Sequence, residues 1–113
     1  MTPKQFKLFL DRDQACYHCG VQDDTLVPQH RANRGHGGSK KRERLSNVIV
    51  FCSRANGLIE SDPVLAETAR VNGWKISGWA DPLTVPVRDA GGVWWLLDDF
   101  GGRFVCDTPE IVA

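Results

Sequence analysis

The chain has 113 residues, with 14 lysines and arginines against 14 aspartates and glutamates, so its formal net charge is zero. That length argues for one domain, and 42% hydrophobic with 25% charged residues describes globular material rather than a disordered tail. No apolar run approaches the roughly 18 residues of a membrane helix. The start Met1-Thr-Pro-Lys-Gln-Phe-Lys lacks the apolar stretch of a secretory leader, so a cytoplasmic protein is expected. Four cysteines in such a setting read as metal ligands or reduced thiols rather than disulfides.

The neutral total hides an asymmetry. Residues 1–59 hold ten Lys/Arg and five Asp/Glu, whereas residues 60–113 hold four and nine. Such a two-sided field could hold a polyanion on one face, unless the halves intermix in space.

In chain order, Phe6, Phe9 and Leu10 recur at helical spacing behind Pro3, which predicts a helix over Pro3–Arg12. Cys16-Tyr-His-Cys19-Gly20 reads as a tight turn, and Thr25 to His30 as a short strand. Arg31 to Arg44 is a glycine-rich loop with six Lys/Arg, too polar to pack. Asn47-Val-Ile-Val-Phe-Cys52 is a second strand, and Ser53 to Glu60 is compatible with a helix. Asp62-Pro63 starts a further helix with Asp as N-cap and Pro at the first turn. Val64, Leu65, Thr68, Ala69 and Val71 are expected to face inward there, and Gly73 to end it. Strands are expected near Lys75–Trp79, Val85–Arg88, Val93–Asp98 and Arg103–Cys106, with a turn at Gly101-Gly102. Trp74, Trp79, Trp94 and Trp95 are read as core. Trp94 and Trp95, being neighbours, must face opposite sides of a strand.

Three fragments lie in order: Cys16-x-x-Cys19; Val27-Pro-Gln29-His30-Arg31 followed by the glycine loop; and Leu45-Ser-Asn47-Val-Ile-Val-Phe-Cys52-Ser-Arg-Ala-Asn56. Over roughly residues 12–60 this resembles the HNH endonuclease family, with its ββα-metal core, and within it the short HNH-like proteins of actinobacteriophages. The resemblance implies one α+β domain over 1–113. Its HNH-like hairpin and helix would be flanked by an N-terminal helix and, over about 62–108, by a helix and an antiparallel β extension.

It also implies a chemistry. His30 stands where the family has its general base, and an imidazole titrating near neutrality can take a proton from water. Asn47 stands where an Asn fixes the hairpin and orients that histidine. Gln29 and Asn56 stand at the ligand positions of the catalytic cation, magnesium or manganese. Gln29 departs from the usual His or Asp, and two neutral amides are a weak donor set for a hard cation. Zinc-bearing relatives use two CxxC pairs to close a tetrahedral site. Here Cys16, Cys19 and Cys52 remain while Ala55 replaces the fourth thiol, for which Cys106, His18 or His36 are substitutes. With no metal, these cysteines would simply be buried hydrophobes.

Arg31, Arg34, Lys40, Lys41, Arg42 and Arg44 are the expected contacts to a DNA backbone, since guanidinium groups fork onto phosphates. His18 is expected to be exposed and idle. Three function classes stay open: a cation-dependent DNA endonuclease in a host bacterial cytoplasm, a non-catalytic accessory protein of the same fold, and a small zinc-knuckle structural protein, which the His30/Asn47 pairing disfavours. The accessory protein would bind DNA, or would bind a host or phage protein through the Trp-rich C-terminal half. No membrane and no small-molecule cofactor are expected.

Overall fold

Two antiparallel strands make the centre of the molecule. In the computed structural model, which describes residues 1–33 and 43–109, strand β1 (Leu26–His30) pairs with β2 (Val48–Cys52) from Leu26 opposite Cys52 to His30 opposite Val48. Every residue of β2 is buried. Its continuous apolar run has that cause, because a strand covered on both faces cannot alternate. Val48 and Val50 meet Phe9 on one side; Ile49 and Phe51 join Tyr17, Leu65, Trp74, Val87 and Leu97 on the other.

Phe9 belongs to helix α1 (Pro3–Asp13), which starts in a capping box between Thr2 and Gln5. Its last turn is bolted to the hairpin by a buried pair. Arg12 donates to both Asp13 oxygens, at 2.6 and 2.8 Å, and to the carbonyls of Leu45 and Val48. Tyr17 donates its hydroxyl to the same carboxylate at 2.7 Å. A 3₁₀ turn over Leu45–Asn47 leads into β2, and helix α2 (Ser53–Leu58) leaves it directly, with Cys52 as N-cap.

Helix α3 (Pro63–Val71) begins as its sequence predicts, with the Asp62 carboxylate accepting from the N–H groups of Val64 and Leu65. Only Leu65 and Ala69 among its residues are buried, being four apart on one face. Val64 and Val71 are exposed, which corrects the inward placement of both. The helix ends at Gly73 with φ of 74°, where an added Cβ would collide with the Pro86 carbonyl. That position needs glycine for conformation and space alike.

Strands β3 (Val87–Arg88), β4 (Trp94–Leu97) and β5 (Arg103–Val105) form a second antiparallel sheet in the order β3-β4-β5. Residues Lys75–Trp79 form no strand; the Ile76 N–H makes one bond, to the Arg31 carbonyl at 3.0 Å. The described residues thus form a small α+β domain with three helices and two antiparallel sheets.

Candidate functional site

The end of β1 and Asn56 of α2 meet at one corner. Gln29 is buried; its amide nitrogen donates to the His30 carbonyl at 2.9 Å, and its oxygen accepts from Asn56 Nδ2 at 2.7 Å. The two expected cation ligands, 27 positions apart, are thus in contact. Next to them His30 places Nε2 2.8 Å from Glu43 Oε1. Which of the two groups donates follows the tautomer of the ring. The second oxygen, Glu43 Oε2, is buried without a partner among the described residues.

Asn47 is buried and bridges the hairpin. Its Oδ1 accepts from the Ala32 N–H at 2.8 Å, and its Nδ2 donates to the Ala32 carbonyl at 3.0 Å. The Arg31 N–H adds a bond to the Asn47 carbonyl at 2.8 Å. The side chain therefore pins the chain two residues beyond His30.

Arg31 overturns its expected place at a DNA surface. It is fully buried, and its guanidinium donates to the carbonyls of Gly73, Ser46, Pro82 and Val85 at 2.6–3.1 Å. Burial pulls its pKa down to about 10. A side chain with no exposed surface cannot reach a phosphate. Arg44 is committed as well, its Nε and terminal nitrogen lying 3.0 and 2.7 Å from Asp99 Oδ2. Asp99 also accepts from the Ser46 N–H at 3.0 Å and from its hydroxyl. Arg34, His36, Lys40, Lys41 and Arg42 lie outside the described residues.

A second cluster sits at the opposite end of β2. The CxxC turn is tied to that strand by the Tyr17 N–H on the Val50 carbonyl at 3.0 Å. This brings the sulfurs of Cys16, Cys19 and Cys52 within 4.8 Å of one another, close enough to hold a metal ion. It is the one group of three or more His, Cys, Asp or Glu ligand atoms so gathered among the described residues. Burial pushes the Cys16 thiol up to about 11. At Cys19 slight burial acts upward, but hydrogen bonds from the Val21 N–H and the neighbouring thiols outweigh it and hold the pKa below its ordinary value. Cys106 follows β5 and is not in the group, nor is His18. His18 is exposed, as expected, and its ring meets the Trp74 ring edge-on at 5.5 Å.

Two participants escaped the sequence reading. Glu43 is the one acidic residue within the basic run, and that isolation was its signal. Asp99 carries no local signal at all, because its partners Arg44 and Ser46 lie more than fifty positions away. Trp79 is 88% exposed, against its expected place in the core, while Trp74 is buried and Trp94 and Trp95 are partly so.

The class these features define is a small α+β domain with a three-thiol group able to hold a metal ion. Comparison with protein-family models, with curated proteins and with solved structures finds no match to this chain.

Proposed function

We propose that the chain is an HNH-type ββα-metal domain, akin to those of actinobacteriophages, that hydrolyses DNA phosphodiester bonds with a divalent cation. The observation that carries this reading is the Gln29–Asn56 contact at 2.7 Å beside His30. Residues to which the resemblance gives one task come from β1 and α2 and meet in space.

In this reading Glu43 holds the protonated Nε2 of His30 and fixes the ring. Nδ1 then carries the lone pair that takes a proton from the attacking water. Asn47 keeps the end of β1 in register. Gln29 and Asn56 offer amide oxygens, hard donors suited to magnesium or manganese; they become available when the Asn56 NH₂ releases Gln29 Oε1. A cation held there together with the substrate phosphate would polarise the phosphoryl group and stabilise the leaving oxygen. Arg34, Lys40, Lys41 and Arg42 are the basic residues left for the DNA backbone.

The test is nicking of supercoiled plasmid with magnesium, manganese or nickel by wild type and His30→Ala. Cation-dependent nicking that the variant loses is expected. Nicking equal in both proteins, or none with any cation, overturns the catalytic reading.

A second reading is favoured by the same contact. Asn56 donates directly to Gln29, so the two amides satisfy one another without a cation. That mutual satisfaction supports reading the chain as an inactive accessory protein that binds DNA or a host or phage protein. Absent nicking together with DNA binding that weakens steeply with salt would support its DNA-binding form.

A further inference from the structure

We infer that Cys16, Cys19 and Cys52 form a soft-metal site with an open fourth position, so that the bound ion takes an exogenous ligand. This stands apart from the reading of His30 and would survive its failure.

Spacing is the first argument. A tetrahedral ion with sulfurs at about 2.3 Å needs those sulfurs roughly 3.8 Å apart. Cys19 Sγ and Cys52 Sγ lie 3.8 Å apart, and Cys16 Sγ is within 4.8 Å of both. A disulfide would require about 2.05 Å. The Cys19 and Cys52 sulfurs stand at ligand spacing rather than bonding distance, with Cys16 Sγ within 4.8 Å of both.

The second argument is the surroundings. The His18 N–H donates to Cys16 Sγ and the Ala55 N–H to Cys52 Sγ, each at 3.4 Å. Such outer contacts steady the negative charge that metal-bound thiolates carry. Both supporting segments are themselves held. The turn closes through the Cys16 N–H on the Val21 carbonyl at 3.0 Å and the Gly20 N–H on the Cys16 carbonyl at 2.9 Å. Cys52 is both the end of β2 and the cap of α2.

The third argument is what is missing from the set among the described residues, outside which His36 lies. The residue three beyond Cys52 is Ala55, whose methyl cannot ligate. Cys106 has its N–H on the Trp94 carbonyl at 2.9 Å, in the other sheet. The His18 ring is engaged with Trp74 and Phe51. Cys16 and Cys52 are buried, but Cys19 is exposed, so the cluster opens to solvent on the Cys19 side. Three thiolates and an accessible fourth position suit zinc, or a soft d¹⁰ ion, carrying water or a small thiol.

The test uses the full chain, reduced, with cobalt(II) as the spectroscopic probe. One equivalent is expected to produce sulfur-to-cobalt charge-transfer absorption. Its visible bands should shift when 2-mercaptoethanol enters the open position, and zinc should displace the cobalt. In Ala55→Cys the bands should no longer respond to the added thiol, and zinc should bind at least about tenfold more tightly. Cys19→Ser should lose at least about tenfold in cobalt affinity. No charge-transfer absorption in the wild type overturns the site. Wild-type bands indifferent to thiol overturn the open position, since a fourth protein ligand would then close it. The wild-type titration decides both points even if a variant fails to fold.

Discussion

The two sheets meet water differently. In β2 all five residues are buried, because α1 covers one face of the hairpin and the C-terminal half covers the other. In the second sheet Val87 and Leu97 face the core, while Phe104 and Val105 of β5 are 59% and 69% exposed. The first sheet is held by apolar packing. The second buries Val87 and Leu97 but leaves both faces of its edge strand β5 open, and polar links fasten the C-terminal half to the rest. Arg31 reaches the carbonyls of Gly73, Pro82 and Val85, and Asp99 reaches Arg44 and Ser46. The Trp74 indole adds a bond to the Arg88 carbonyl at 2.7 Å. The difference teaches that a chain this short secures its second layer with buried hydrogen bonds where apolar area runs short.

That contrast predicts a ranking of substitutions, read in denaturant unfolding. Arg31→Met should have the largest effect, at least about 4 kcal/mol, since it leaves four buried carbonyls without donors. An effect near zero would mean that the C-terminal half does not hang on this side chain. Phe51→Ala should follow at about 3–5 kcal/mol, from lost burial and the cavity left beside Trp74.

Asp99→Ala should cost about 1–2 kcal/mol by freeing Arg44 and Ser46. Here pH offers a second reading. Partial burial acts upward on the Asp99 pKa, but hydrogen bonds from Arg44 and Ser46 outweigh it and hold the pKa below its ordinary value of 3.8. A depressed carboxylate stabilises the fold above its unfolded pKa and stops doing so as pH falls through the folded one. Wild type should therefore lose stability on acidification below about pH 4 more steeply than Asp99→Ala. Parallel acid profiles would remove Asp99 from the links between the layers. Phe104→Ser should change stability least, by under about 0.5 kcal/mol. A cost matching that of Phe51→Ala would show the outer face of the second sheet to be covered in solution.

Much of the fold is written locally. Thr2 with Gln5, and Asp62 before Pro63, set helix starts within a few residues, and the apolar run at 48–52 declares a strand buried on both faces. The helix end at Gly73 is local too, although the reason no larger residue fits is the Pro86 carbonyl thirteen positions away. Where the reading failed, the deciding partner was distant. Lys75–Trp79 has the composition of a strand, yet no neighbouring strand pairs with it there. Val64 and Val71 are as apolar as Leu65, but they fall on the helix flank away from the core.

The candidate site divides the same way. The sequence marked His30, Gln29, Asn47 and Asn56 only through the resemblance to the HNH family, and the cysteines through their CxxC spacing together with that resemblance. Only the tertiary structure decided how they are used. It joined Gln29 to Asn56, gave His30 its partner Glu43, gathered three thiols while leaving Cys106 apart, and turned Arg31 from a surface cation into the link between two layers. The physical reason is burial. A guanidinium reads identically in sequence whether it meets water or four carbonyls, and only packing determines which of the two it finds.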